Sequence, residues 1–447
     1  MNEERKFTRI VVEPPGPKAR EVVGRDEEYL MQSYVRWYPL VIKKGDGVIL
    51  EDVDGNKYID MNAGIAVLAT GHRDPSVVLA IKEQLEKFQH YSLTDFYYEL
   101  AVDYAEKLFN AMEWHDNKIF YTNSGAESID AAIKVSKGYF EGRRNYFLAF
   151  IGAFHGRTIG SLSLTASKPI QRRYFFPMMP GVIHAPFPYC YRCPFKLEYP
   201  SCNFYCIDFI KEWILEKYLP KEELAAVFIE PIQGEGGYIP APDGFIQRLR
   251  RLADEYGFLI VSDEIQSGMG RTGKLFAIEH YNVRPDLIAV AKGIASGLPL
   301  GALIGRRDVM ILPPGTHANT FGGNPVSLAA ASATLDRLLN GLMDNAAKMG
   351  SYLIDRLNEL KDKYDIIGDV RGKGLMIGVE LVKDRDSKEP AKEELGKILE
   401  YSFKHGLLVI GAGISTVRFS PPLNITMEVI DEALDIFEDA LKNISEE

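Results

Sequence analysis

The chain has 447 residues, enough for two or three domains and a large core. Its 46% hydrophobic and 26% charged residues are the balance of a soluble globular protein, and no apolar run is long enough to cross a bilayer. The net charge of −10 opposes a nucleic-acid backbone, and the charged opening MNEERKFTRIVVEPPGPKAR leaves no place for a signal peptide's apolar stretch, so a cytoplasmic protein without nucleic-acid or membrane partners is expected.

In chain order, GVILEDVDGNKYIDMNAG reads as short strands with Asp-Gly and Gly-Asn turns, and PSVVLAIKEQLEKF has helical spacing. From about Lys118 the rhythm becomes apolar strand, loop, helix. The expected strands are KIFY, YFLAFIG, GVIHA, AAVFIEPI, FLIVSDEI, DLIAVAK and GALIGR, with helices such as GAESIDAAIKVSKGYF and GFIQRLRRLADEYG between them. Near-continuous apolar strands alternating with helices predict an α/β fold built on a mostly parallel sheet covered on both faces. Such sheets bind ligands at the carboxyl ends of their strands. GGNPVSLAAASATLDRLL predicts a long helix. Beyond about Asn345 the pattern is α+β, through VRGKGLMIGVELVKD, a helix near Glu394 to His405, GLLVI, TVRFSPPLNI and a last helix. The expected division is an N-terminal segment over 1–75, a large domain over 76–344 and a smaller C-terminal domain over 345–447.

All four cysteines, Cys190, Cys193, Cys202 and Cys206, fall within YCYRCPFKLEYPSCNFYC. The spacing C-x2-C-x8-C-x3-C suits a zinc site, a disulfide or free thiols in a packed loop, and no metal is expected in the chemistry. GMGRTGKL nearly matches a P-loop, but Leu275 stands where a hydroxyl residue would bind magnesium, and the acidic strand VSDE precedes it in the wrong order.

Three ionisable groups end predicted strands: Glu230 after AAVFI, Asp263 after FLIVS and Lys292 after LIAVA. At one edge of a parallel sheet they share a crevice, which makes a site a better reading than three solvated strand ends. Lys292 is the odd member. Burying an ammonium costs several kcal/mol unless it is paired or loses its charge, yet small residues follow it: Gly293, Ala295, Ser296, Gly297 and Gly301. In YTNSGAESIDAAIK, Ser124, Gly125 and Ala126 stand between a strand and a helix, where backbone N–H groups make an anion site suited to phosphate. A lysine, an aspartate and a phosphate site together suit pyridoxal 5'-phosphate, which is carried by a lysine, needs a carboxylate at its pyridine nitrogen and needs an anchor for its phosphate.

The chain resembles the class III aminotransferases of the 4-aminobutyrate and ornithine type, within the fold type I group of pyridoxal phosphate enzymes. The resemblance runs from DVDGNKYIDMNAGIAV and TGHRDPSVVLAI to VRFSPPLNI, and is most specific in LIVSDEIQSGMGRTGKLFAIEH followed by PDLIAVAKGIASGLPLGA. It implies a large domain with a seven-stranded sheet and a smaller α+β domain. It implies that Lys292 carries the cofactor and shuttles a proton, that Asp263 contacts the ring nitrogen, that Phe154 and Ile265 sandwich the ring, and that Gln266 bonds its hydroxyl. Ser124, Gly125 and Ala126 hold the phosphate, although many family members have a threonine in place of Ala126. His155, next to Phe154, joins the cofactor residues, and Glu230 is a catalytic carboxylate near the cofactor and lysine. Thr320, in HANTFGGNP, reaches the phosphate of a partner subunit, which implies a homodimer or a higher oligomer with shared sites.

The same resemblance assigns Arg157 to a substrate carboxylate, Arg418 to the second carboxylate of a dicarboxylate partner, and Glu235 to the neutralisation of Arg418 when another substrate is bound. Ile65 falls where eukaryotic ornithine enzymes carry a tyrosine, which leans toward the 4-aminobutyrate branch. Thr94 and Asp95 lie near the expected pocket mouth. The first reading is therefore an ω-aminotransferase that moves an amino group from 4-aminobutyrate, ornithine or a lysine-like amino acid to 2-oxoglutarate. An amino-acid racemase on the same scaffold is the alternative, and a non-catalytic, zinc-stabilised binding protein is a third.

Overall fold

A computed structural model of the chain describes residues 5–445. Residues 1–4 and 446–447, the outer ends of the expected N-terminal segment and C-terminal domain, lie outside the described residues. The Asp-Gly and Gly-Asn turns form an antiparallel meander of β1 (Ile42–Asp46), β2 (Ile49–Asp52) and β3 (Lys57–Asp60). The seven expected strands follow as β4 (Asn117–Thr122), β5 (Tyr146–Phe150), β6 (Val182–Ala185), β7 (Leu224–Ile229), then β10 (Leu259–Asp263), β11 (Leu287–Val290) and β12 (Gly301–Arg306), with a two-stranded hairpin of β8 (Ile232–Gln233) and β9 (Ile239–Pro240) after β7. Strands β13 (Ile367–Lys373), β14 (Met376–Leu381), β15 (Leu407–Leu408), β16 (Ile410–Ala412) and β17 (Thr416–Phe419) complete the set.

The central sheet has the order β4-β12-β11-β10-β7-β5-β6. Pairing is parallel throughout except at β12, which runs antiparallel to both β11 and β4. Every residue of β7, β10 and β11 is buried. Strands covered on both faces need continuous apolar sequence, and LAAVFI, LIVSD and LIAV supply it up to the polar terminal residues Ser262 and Asp263. The helix Phe245–Tyr256 is bounded by Gly244 and Gly257, both with positive φ, and its Phe245, Ile246, Leu249, Leu252 and Ala253 stripe faces the core.

The long helix expected after GGNP begins with Pro325–Arg337, capped by Asn324 accepting from the N–H groups of Val326 and Ser327. It kinks at Asn340 and Gly341 and continues as Met343–Lys363, so the expected boundary at 344/345 falls in the first turn of that second helix. Strands β13, β14, β17 and β16 form an antiparallel sheet. Strand β15 instead pairs in parallel with β3, joining the C-terminal chain to the N-terminal meander.

Asp286 fixes the amino end of β11. It is 2% exposed, and its carboxylate accepts from Arg250 Nη1 at 2.7 Å, Arg306 Nη1 at 2.6 Å and the Ile260 N–H at 2.7 Å, tying β10, β11 and β12 together. Removing one member of a buried charge network strands the others. Asp286→Ala should lower unfolding free energy by about 3–5 kcal/mol in denaturant titration. The folded fraction should keep its substrate KM, because Asp286 sits at the opposite end of β11 from Lys292.

Candidate active site at the carboxyl edge of the sheet

Three neighbouring strands deliver the charged groups. Asp263 ends β10, Glu230 follows β7 directly, and Lys292 follows β11 by two residues, with β10 lying between β7 and β11. Lys292 opens a single 3-10 turn with φ of +49°. A side chain other than glycine or asparagine seldom adopts that conformation, and such strain persists where the surroundings impose it, often at functional sites. The loop beyond the turn is pinned by Ser296, whose hydroxyl lies 2.8 Å from Thr70 Oγ1 and accepts from the Thr70 N–H at 3.0 Å.

Burial sets the electrostatics. Desolvation pushes the Lys292 ammonium below the usual lysine range, and Arg418 adds to that, against the opposing carboxylates of Glu235, Asp263 and Glu230. Glu230 is pushed up to about 7, first by desolvation, with His155 opposing and Asp263 adding. Its two oxygens accept from the N–H groups of Phe154 and Gly234, both at 2.8 Å, and so tie the loop after β5 to the loop after β7. Asp263 accepts from the Ile265 N–H at 3.0 Å and lies 2.7 Å from His155 Nδ1. Desolvation alone would depress His155, but the bond and charge of Asp263, with Glu230, raise it above the ordinary histidine value. His155 Nε2 is buried without a partner among the described residues.

A cavity of about 420 Å³ opens over this edge. Lys292, Asp263, Glu230 and His155 line one part, Ser124, Gly125 and Ala126 another, and Phe154, Ile265, Gln266 and Arg157 contribute as well. Ser124 caps the helix Gly125–Tyr139 by accepting from the Glu127 N–H at 3.3 Å. The Gly125 and Ala126 N–H groups, in the first turn, have no acceptor within the helix. A Cβ on Gly125 would lie 2.8 Å from Ile265 Cδ1, so glycine lets the helix begin against Ile265. The Arg157 guanidinium lies 5.3 Å from the Phe154 ring centre and has no ion-pair partner among the described residues. Gln266 Oε1 accepts from the Tyr238 hydroxyl at 2.8 Å. An amine, a histidine-held carboxylate and an open helix N-terminus around one cavity fit the aldehyde, ring nitrogen and phosphate of pyridoxal 5'-phosphate.

Glu235 and Arg418 meet beside this cavity. Arg418 is 2% exposed and donates through Nη1 to Glu235 Oε1 at 2.7 Å. Desolvation works to raise the Glu235 carboxyl, yet Arg418, with Lys168 and Lys292 behind it, holds it below the usual carboxylate range. Desolvation likewise opposes the charge on Arg418, and Glu235 restores it. Arg418 Nε has no partner among the described residues.

Ile65, Thr94, Asp95 and Thr320 do not line the cavity. Ile65 and Thr320 are exposed, and Ile65 lies in a run of four left-handed residues, Ala63 to Ala66. Tyr238 is a site residue that motif reading passes over, because nothing in GEGGYIP announces its reach to Gln266. In GMGRTGKL, Arg271 is 1% exposed and donates to the carbonyls of Leu375 and Pro421, an internal support rather than a phosphate loop. The four cysteines are free, and burial pushes Cys190 up to about 11 and Cys206 up to about 12. Among the described residues no cluster of His, Cys, Asp or Glu is arranged to hold a metal ion.

The family description "Aminotransferase class-III" matches residues 30–441. The chain is 42% identical over 446 residues to the alanine/serine racemase of Pyrococcus horikoshii, covering 98% of this chain and 93% of that protein. It is 39% identical over 424 residues to an acetylornithine aminotransferase of Clostridium acetobutylicum, covering 93% and 100%. Its structure matches a thermostable (S)-enantioselective omega-transaminase from Thermomicrobium roseum with a TM-score of 0.89 at 31% identity, over 95% of this chain and 99% of that one. With the family pattern spanning both the sheet edge that holds Lys292 and the C-terminal sheet that holds Arg418, the chain belongs to the class III aminotransferases, enzymes that work with pyridoxal 5'-phosphate.

Proposed function

We propose that this enzyme moves an amino group from an ω-amino acid of the 4-aminobutyrate, ornithine or lysine kind to 2-oxoglutarate, in two half-reactions that share one pocket. The observation that carries this reading is the pairing of the buried Arg418 with the partly buried Glu235. A buried arginine paired with a single carboxylate can exchange that carboxylate for one on a substrate. Losing the partner without replacement costs about 3–5 kcal/mol, so Glu235 leaves only when a ligand carboxylate takes its place. With Glu235 in place the pocket suits an amino donor with one carboxylate, held by Arg157. With Glu235 displaced, Arg418 receives the second carboxylate of 2-oxoglutarate.

Pyridoxal 5'-phosphate, when bound, supplies an aldehyde that takes up amines and a ring that accepts the electrons released when the amine-bearing carbon loses its proton. Ser124, Gly125 and Ala126 would hold its phosphate at the helix N-terminus, and Phe154 and Ile265 would flank its ring. Asp263, fixed by His155 and the Ile265 N–H, would keep the ring nitrogen protonated. Gln266, oriented by Tyr238, would bond the ring hydroxyl. Lys292 Nζ would hold the cofactor and, when free, carry a proton between the substrate's amine-bearing carbon and the aldehyde carbon of the cofactor. Depression of its pKa by burial suits an amine that must be neutral to act as a base. Glu230 would serve by holding the Phe154 and Gly234 loops together at the cofactor. Thr320, exposed and not among the residues that line its own cavity, would complete the site of a second copy, so we read the enzyme as a homodimer. No helix among the described residues is long and apolar enough to cross a membrane, and we place the enzyme in the cytoplasm.

The 42% identity to an alanine/serine racemase supports a second reading, in which the proton returns to the opposite face of the same carbon and no acceptor is consumed. Nitrogen-15 transfer from labelled amino donors to 2-oxoglutarate separates the two. Labelled glutamate is expected, whereas inversion of the donor without 2-oxoglutarate and without labelled glutamate would establish the racemase. Arg418→Ala should raise the KM for 2-oxoglutarate about tenfold or more and leave the donor half-reaction within about threefold. Asp263→Asn should reduce kcat by about 10³, since an uncharged ring is a poor acceptor of electrons; near-normal turnover would show that another group sets the ring's protonation. Reductive methylation of the cofactor-free protein, read by mass spectrometry, should modify Lys292 with a pH midpoint below the roughly 10.4 of an ordinary lysine.

A further inference from the structure

Glu235 and Arg418 come from different parts of the molecule. Glu235 lies in the loop between β8 and β9, beside the central sheet, whereas Arg418 is in β17 of the C-terminal sheet. Their 2.7 Å contact therefore depends on how that loop docks against that sheet. We propose that Arg371, on β13, is the positioning residue for this pair, a single largely buried guanidinium that bonds the loop carrying Glu235 and the strand carrying Arg418.

On the loop side, Arg371 Nη2 donates to the Gly237 carbonyl at 2.6 Å, and Nε donates to the carbonyls of Gly237 and Tyr238, both at 3.2 Å. On the strand side, Nη2 reaches Thr416 Oγ1 at 3.3 Å, and Thr416 stands two residues before Arg418 on the same face of β17. The guanidinium is itself held at Nη1 by Asp369 at 2.9 Å and Glu380 at 2.6 Å. Glu380 is clamped in turn by the Tyr189 hydroxyl and Arg192 Nε. Gly237 has φ of +130°, and a Cβ there would lie 3.1 Å from Arg371 Nη2, so the loop approaches this closely only with glycine. The Gly413 N–H, in the turn before β17, donates to the carbonyl of Glu235 at 2.9 Å and closes the same junction. A planar fork with five donors can serve these acceptors together, and an ammonium cannot.

This inference rests on the reading that Arg418 receives the second carboxylate of the acceptor, so Arg418→Ala is measured first. If that variant uses 2-oxoglutarate and pyruvate in the same ratio as wild type, the reading fails whatever Arg371 does. If the ratio falls, Arg371→Lys is tested on the holoenzyme. It should raise the KM for 2-oxoglutarate about tenfold, with the KM for pyruvate, kcat and the absorbance of the bound cofactor each within about twofold. In the Arg418→Ala background, Arg371→Lys should add no further loss, because it acts through that arginine. An unchanged KM for 2-oxoglutarate, or equal losses with both acceptors that persist in the Arg418→Ala background, would overturn the proposal. Should Arg371→Lys not fold, Asp369→Asn loosens the same guanidinium from its partly exposed side. It should produce the same split between acceptors at smaller size, and equal KM changes for both would overturn the assignment.

Discussion

Asp263 and His155 are 3% and 1% exposed and lie 2.7 Å apart, so neither charge can be balanced by water. An isolated buried carboxylate would take up a proton instead. The same requirement extends from this edge to its neighbourhood, where three carboxylates, Glu230, Asp263 and Glu235, lie among three basic groups, Lys292, His155 and Arg418. Lys292 feels the charges of Glu235, Arg418, Asp263 and Glu230, and Glu235 feels those of Arg418 and Lys292. Glu230, whose bonds are to backbone N–H groups, is the member pushed up to about 7. Removing one carboxylate from this set would change the electrostatic balance felt by its neighbours.

The sheet confines this crowding to one end of its strands. The apolar lengths of β7, β10 and β11 are sealed from water, and only their carboxyl ends carry charge. At the opposite end Asp286 is held between two arginines and the Ile260 N–H, which ties β10, β11 and β12 together. Reversed β12 leaves β4 pointing the same way as β11, and this brings the helix at Gly125 to the same edge as Lys292.

What could be seen in the sequence depended on whether a signal is local. A lysine that ends LIAVA, an aspartate that ends FLIVS and a Ser-Gly-Ala at a strand-to-helix junction each break an expected pattern, so the sheet, the cavity and its main ionisable groups could be read directly. Family resemblance supplied Glu235 and Arg418, which no spacing relates. Arg371 and Tyr238 carry no such mark. VRGKG reads as an ordinary turn approach, and the guanidinium's partners lie on segments about 135 positions before it and 45 after it. The kink at Asn340 and Gly341 was hidden for a related reason, since both residues are tolerated in a polar helix surface and only the packing shows that the chain bends there.

The helix that begins at Gly125 has one more consequence. Its N-terminus attracts an anion through peptide dipoles and free N–H groups, neither of which titrates. The nearest acid on that turn, Glu127, is turned back to accept from the Asn123 N–H at 2.7 Å and from its side-chain amide at 2.9 Å. The protein's own contribution to holding an anion there therefore carries no titrating group. Donors of that kind at one end of the cavity stand apart from the ionisable groups Lys292, His155 and Glu230 at the other, so a change of protonation among those groups leaves the helix N-terminus as it was.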